Sequence, residues 1–234
     1  MKTRHLSVED LRSELAEVKA LLAKEKEKKP RRRKSNDEVK YFTQEQTEAF
    51  FRAIKNPRDM ALFRVAYHHG LRASEVGLLQ LSHYRVKSGR IFITRLKGSN
   101  SGEYKMPKSA RRALDAWLQI RGYDDGPLFP ARGGGRPFSK NRPGSKPLGI
   151  SDQTVNWLMH KYGAAAGLPT ELCHPHTMKH SCAVHLLEGG PGRPRMDIVA
   201  VQDWLGHVNI ASTMVYAKIT NRVRDEVGSQ IGSW

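Results

Sequence analysis

Five stretches of this chain set chemically capable side chains beside residues that bend or cap the backbone. Arg72 and Glu75 stand in Gly-Leu-Arg-Ala-Ser-Glu at 70–75, and Lys97 in Arg-Leu-Lys-Gly at 95–98. His176, Lys179 and His180 stand in His-Pro-His-Thr-Met-Lys-His at 174–180, His207 follows Leu205 and Gly206, and Tyr216 closes the last stretch. Arginine and lysine grip anionic oxygens, histidine moves protons near neutral pH, and tyrosine offers a hydroxyl that can form covalent intermediates. Taken singly, each has a plainer use: Arg72 as a surface cation, His176 as a capping or core histidine, Tyr216 as a half-buried aromatic. Only their order and spacing can carry a functional reading.

Bringing these positions together requires a folded domain. Phe42-Thr43-Gln-Glu-Gln46 predicts a capping box that opens it near residue 38, with Thr43 as N-cap and Gln46 reaching back. A buried helix runs through 61–67, Gly70 stops it, and Ser74 caps a second helix carrying Val76, Leu78 and Leu79. Arg72 then lies in the tight turn between them. Three short β-prone runs at 84–87, 90–95 and 103–106, separated by Ser88-Gly89 and by 98–102, predict a three-stranded antiparallel sheet. Helices resume at 109–120, 151–166, 177–188, 197–205 and 210–218. The expected fold class is mainly α with a small three-stranded antiparallel sheet (α+β). The Gly-, Pro-, Lys- and Arg-rich stretch 133–147 predicts a surface loop, with Arg136 and Arg142 as candidate phosphate contacts.

The flanks differ from this domain. Residues 6–27 predict a helix with Ser7 as N-cap and an apolar stripe of Val8, Leu11, Leu15, Val18 and Leu22. The stripe is short enough that packing on its own domain, or fraying, is expected over pairing between chains. The charge run at 24–34 cannot bury a core and predicts a linker, whose Arg31, Arg32, Arg33 and Lys34 are either solvated or on phosphates. The expected division is 1–37 for the helix and basic linker, 38–220 for the main domain and 221–234 for a tail helix. In that tail Ile219, Val223, Val227, Ile231 and Trp234 recur three or four apart.

Lys and Arg number 40 against 23 Asp and Glu, a formal net charge of +17, well above the ~2–8 that keeps a small domain soluble. A polyanionic partner is the natural inference. No apolar run approaches the ~20 residues that span a bilayer, and the N-terminus lacks an apolar signal core, so nucleic acid is expected over membrane. Cys173 and Cys182 form no C-x-x-C pair and are too few for a disulfide framework, which predicts a reducing compartment. His174, His176, His180 and His185 crowd one segment, yet no His-Glu-x-x-His arrangement or second ligand cluster accompanies them, so no metal site is expected.

The run from Leu205 to Tyr216, a Leu-Gly-His followed nine residues later by tyrosine, resembles the signature of the tyrosine recombinase (phage integrase) family. Residues 70–75 resemble that family's first arginine box, and His176-Thr-Met-Lys179-His180 with its following helix resembles the His-x-x-Arg-His box. The likeness covers roughly 40–220, with all boxes in the family's order. The layout is similar to the short recombinases that invert fimbrial switches, which lack a separate helical domain ahead of the catalytic one. The chain is either a complete short enzyme, which Met1 slightly favours, or one missing an N-terminal part.

The resemblance implies the family's catalytic-domain fold, double-stranded DNA as partner, assembly of two to four copies on it, no metal or other cofactor, and a cytoplasmic setting in bacteria, archaea or phage-infected cells. It also implies roles: Tyr216 attacks the scissile phosphate, and Arg72 and His207 hold the oxygens that gain charge. His176 assists proton transfer at the tyrosine, and Glu75 and His180 support the site. Lys97 protonates the leaving 5′-oxygen, with Lys105 as runner-up. The C-terminal segment docks on a neighbouring subunit or on its own domain. One position departs: the family's second arginine is here Lys179, a point donor in place of a fork. Losing one such donor commonly costs ~2.7–4 kcal/mol, a rate factor of roughly 10² to 10³, so reduced activity is expected unless another arginine substitutes. Two other functions stay open, a DNA-binding relative that has lost turnover and a type IB topoisomerase.

Overall fold

The computed structural model describes residues 39–96, 98–131, 149–190, 192–219, 228–229 and 231. The expected helix at 6–27, the basic residues Arg31, Arg32, Arg33 and Lys34, the 133–147 loop with Arg136 and Arg142, Lys97 and most of the 221–234 tail lie outside them. The chain divides after Glu38, and every element below belongs to the unit from Val39 onward.

The first helix, α1 (Gln44–Ala53), starts on the expected capping box: Gln46 N–H donates to Thr43 Oγ1 at 3.2 Å and Thr43 N–H to Gln46 Oε1 at 2.9 Å. Helix α2 (Pro57–His68) begins earlier than its apolar run suggests. Asn56 Oδ1 accepts from Asp59 N–H at 3.2 Å, and Pro57 occupies the first turn, where a missing N–H costs nothing. Phe50 of α1 and Phe63 of α2 pack edge to face at 5.1 Å, and both meet Tyr162 of α5 (Asp152–Ala165). Gly70 ends the α2 segment with φ +56°, and a Cβ there would sit 2.4 Å from Leu205 Cδ2. Glycine alone suits both the left-handed turn and that approach.

Helix α3 (Ala73–Val76) is a single turn, and its N-cap residue is Arg72, not Ser74. The Glu75 carboxylate reaches back to accept Arg72 N–H at 2.9 Å, a cap that leaves Ser74 inside the turn and Leu78 beyond it. The three strands are shorter than expected: β1 (Tyr84–Arg85), β2 (Arg90–Ile93) and β3 (Gly102–Lys105), antiparallel in the order β1-β2-β3. Ile91 faces Tyr84 on one side and Tyr104 on the other. Ile91 and Ile93 are buried while Phe92 points outward, the alternation of a half-covered sheet. β2 stops at Ile93 because Arg95 turns into the interior, its N–H donating to Ser101 Oγ at 2.9 Å.

Helix α4 (Lys108–Arg121) lies along α2 and buries Ala110, Leu114 and Leu118, spaced four apart. Ser151 caps α5, and Asp197 caps α7 (Ile198–Trp204) by accepting from Val199 and Ala200 N–H at 2.9 Å. Helix α6 (Pro175–Glu188) is the centre of the domain, in contact with α2, α5, α7 and α8 (Ala211–Ala217). Two single 3₁₀ turns, Leu81–His83 and Thr170–Leu172, are too short to leave a periodic signal. The architecture is mainly α with one small three-stranded antiparallel sheet, as the pattern predicts. Among the described residues no helix is long and apolar enough to cross a membrane.

Candidate active site

Glu75 organises one wall of the site. Its side chain is fully buried and accepts from Arg72 N–H at 2.9 Å, Arg72 Nη1 at 2.6 Å and Leu96 N–H at 3.1 Å, with Arg95 Nη1 at 3.5 Å. Burial alone would raise its pKa. The N–H groups of Arg72 and Leu96, the Arg72 guanidinium and the Arg95 charge outweigh burial and hold it below the ordinary carboxylate value. Arg72 Nη1 also donates to Leu96 O at 3.3 Å and Ser99 Oγ at 3.2 Å, so the loop after β2 and the turn before α3 hold one guanidinium between them. The Arg72 side chain stays about one-fifth exposed.

Helix α6 supplies the next groups. Lys179 is buried, with Nζ 3.5 Å from Leu205 O at the end of α7. Burial first, then repulsion from Arg95 and Arg72, brings its pKa down to about 7. One residue on, His180 Nδ1 lies 2.9 Å from the Tyr216 hydroxyl of α8. Burial, with His176 and Lys179 adding to it, lowers His180 to about 4, so its ring is neutral at pH 7 and can accept the phenolic proton at Nδ1. Tyr216 is itself buried, which raises its pKa to about 12. A base beside it is what such a phenol needs before it can attack. His176, one turn upstream on α6, is exposed, its ring centroid 6.2 Å from that of His180.

His207 closes the cluster. Gly206 before it has φ +67° and lies so close to the loop after β2 that a Cβ would meet Asn100 O at 2.5 Å. Asn100 N–H donates to Gly206 O at 2.8 Å, which ties that loop to the Leu-Gly-His turn. His207 Nδ1 pairs with Thr213 Oγ1 at 2.9 Å, and burial together with Lys179, Arg72 and Arg95 lowers its pKa to about 4. Its ring is therefore a neutral donor or acceptor whose orientation Thr213 fixes.

The structure thus gathers Arg72, Glu75, Lys179, His180, His207 and Tyr216 from α3, α6, the turn after α7 and α8. Lys105 is exposed on β3, an edge strand of the sheet. Sequence reasoning missed Arg95, Ser99 and Thr213: nothing in a lone sequence marks Arg95 as buried, although Thr213, six residues after His207, stands within local reach. Among the described residues no group of three or more His, Cys, Asp or Glu could hold a metal ion. Helix geometry sends the histidines of 174–185 to different neighbours, His174 to His160, His180 to Tyr216 and His185 to Tyr67. Arg72, Arg95 and Lys179 crowd one buried carboxylate, and a further anion would relieve their repulsion.

A model described as the phage integrase family matches residues 40–222. The chain belongs to the phage integrase family. Its curated relatives include tyrosine recombinase XerC of Pseudomonas aeruginosa (strain LESB58), 35% identical over 165 residues, covering 69% of this chain and 48% of that protein. XerC of Haemophilus ducreyi is 33% identical, again over 69% of this chain and 48% of that protein. The chain spans about half the length of the curated relatives it matches. The fold matches the crystal structure of XerA recombinase, with TM-score 0.62 and 23% identity over 81% of this chain and 64% of that one. It also matches the catalytic domain of bacteriophage HP1 integrase, with TM-score 0.52 and 17% identity over 82% and 95% of the two chains. A Tn1549 transposon integrase in complex with transposon right end DNA matches with TM-score 0.58 and 20% identity over 90% and 75%. Arg72, His207 and Tyr216 all lie within the matched range, in a fold shared with these structures.

Proposed function

We propose that the chain breaks and rejoins double-stranded DNA at specific sites, Tyr216 forming a transient bond to a 3′-phosphate. The observation that carries this reading is the Tyr216 hydroxyl 2.9 Å from a neutral His180, in a pocket with more cations than anions. The Tyr216 oxygen bonds to phosphorus as the bond to the 5′-oxygen breaks. The phenolic proton passes to His180, with His176 one turn away as relay, and the 5′-oxygen takes a proton from Lys97. Arg72, Lys179 and His207 hold the phosphoryl oxygens, where preorganised donors contribute most. Leu96 hydrogen-bonds Glu75 and Arg72 with both its N–H and its carbonyl, which supports the adjacent Lys97 over Lys105 as the acid. Because the phosphotyrosyl link conserves bond energy, rejoining needs no nucleotide cofactor. The net charge of +17 suits a DNA partner; that two to four copies act on it is part of the same proposal.

Mapping covalent cleavage across DNA of the source genome tests the proposal. Recurrent sites with a Tyr216 peptide on the 3′-phosphate support it; relaxation of any supercoiled plasmid without a recognition site points to topoisomerase chemistry instead.

Lys179 in place of the family's second arginine leaves a second reading, a relative with weakened turnover, and Lys179→Arg separates the two. An arginine there has to bury a second guanidinium beside that of Arg95, whose side chain is already fully enclosed. Single-turnover cleavage is expected to stay level or fall. A rise towards the ~10² to 10³ that one phosphate donor supplies would show that lysine impairs the site.

A further inference from the structure

Arg95 has no role in the chemistry above, yet its side chain is fully enclosed. Nη2 donates to His69 O at 2.7 Å and to Trp204 O at 3.1 Å, and Nη1 to Gly70 O at 3.0 Å, with Glu75 Oε2 at 3.5 Å. Two of those carbonyls lie three and two residues before Arg72, and the third ends α7, three residues before His207. A planar fork reaches all three carbonyls; a single ammonium could not hold that spread. Trp204 reinforces the junction, its ring stacked on His69 at 5.5 Å and its Nε1 donating to His68 O at 2.8 Å. The same helix end offers the Leu205 carbonyl to Lys179, so two cations meet the carbonyls that α7 leaves unpaired.

We propose that Arg95 is a positioning residue of the active site, whose buried guanidinium locks the Arg72 turn to the His207 turn and whose fixed charge acts on Lys179. The proposal rests on the phosphotyrosyl reading for its catalytic readout. The groups around Lys179 are Arg72 and Glu75 at α3, Arg95 after β2, His207 after α7, and His180 and Cys182 on α6 itself. Of the three cations, only lysine can shed its proton near neutral pH, since guanidinium groups stay charged. Burial first, with Arg95 and then Arg72 adding to it, brings Lys179 down to about 7, so the charge of the pocket depends on pH and Arg95 helps to set where. The protonated Lys179 is the active form, and the rate falls as pH rises through its pKa; removing the Arg95 charge moves that fall to higher pH.

The test compares Arg95→Met and Arg95→Lys with the wild type, after thermal unfolding has shown that each is folded. On the free protein, lysines labelled with ¹³C at Cε are titrated by NMR, and the Lys179 signal is identified by its loss in Lys179→Arg. Lys179 is expected to titrate at higher pH in Arg95→Met than in the wild type. On a nicked suicide duplex at saturating concentration, both variants are expected to lose up to ~10²-fold in single-turnover cleavage, the cost of misplacing reacting groups by about 1 Å, at unchanged half-saturation. The falling limb of the pH profile moves up in Arg95→Met and less in Arg95→Lys, which retains a cation. Wild-type cleavage rates in both variants, or an unmoved Lys179 titration in folded Arg95→Met, would overturn the proposal. A wild-type protein that never captures DNA counts against the recombinase reading alone, because the lysine titration needs no DNA.

Discussion

Tyr216→Phe is expected to abolish covalent capture of a nicked suicide duplex while leaving DNA affinity close to that of the wild type. The hydroxyl oxygen is the only heavy atom removed, and in the phosphotyrosyl mechanism it is the atom that bonds phosphorus. Its loss also leaves His180 Nδ1 without the 2.9 Å partner it has in the wild type, which costs about 1–3 kcal/mol of stability. That is too little to unfold a typical domain of 5–15 kcal/mol, so a folded, DNA-binding and chemically dead protein should result. Gel-resolved covalent complex and a separate binding titration check both halves. Covalent product from Tyr216→Phe means that another nucleophile acts, and the assignment of Tyr216 then fails.

Glu75→Gln is expected to lower both stability and cleavage, because the carboxylate is the fully buried anion that Arg72 and Arg95 share. Glutamine fills the same space without the charge. Removing one partner from a buried ion pair costs about 3–5 kcal/mol, a fall of roughly 6–20 °C in melting temperature for a domain of this size. Cleavage falls with it, since Arg72 loses the group that aims its guanidinium. The pH dependence gives a sharper check. Glu75 has a folded pKa below its ordinary value of 4.5, so its stabilisation is present above that value and is lost as pH falls through the folded pKa. The gap between wild type and Glu75→Gln, measured by denaturant unfolding, should therefore stay constant from neutral pH down to about 5 and close below 4.5. A gap that is absent at pH 7 would show that the carboxylate does not hold the site together.

Much of the fold was legible because it rests on local rules. The Thr43–Gln46 capping box, Gly70 as helix stop, the helices expected from 151 and 197, and the three β-prone runs all depend on neighbours within a few residues. Two boundaries slipped where a long-range partner intervened. Ser74 reads as the better cap by residue type, but Glu75 caps Arg72 because the same carboxylate is held by Leu96 and Arg95 across the site. The strand at 90–95 reads as continuous, but it ends two residues early where Arg95 leaves the sheet for the carbonyls of His69, Gly70 and Trp204.

The candidate site divides in the same way. The residues that the proposed phosphoryl chemistry would use were read from the chain itself, since Arg72, Lys179, His207 and Tyr216 stand at spacings that coincidence does not readily produce. The contacts among them were decided only in three dimensions: His180, not His176, meets the Tyr216 hydroxyl, and Thr213 orients His207. Tertiary packing alone also put Arg95 under the site and Lys179 in its interior, where burial and two neighbouring guanidiniums bring the lysine down to about 7. The physical reason is range. Caps, turns and periodicity act over a few residues, whereas desolvation and charge coupling depend on which distant segments share a buried volume, and only the folded chain specifies that.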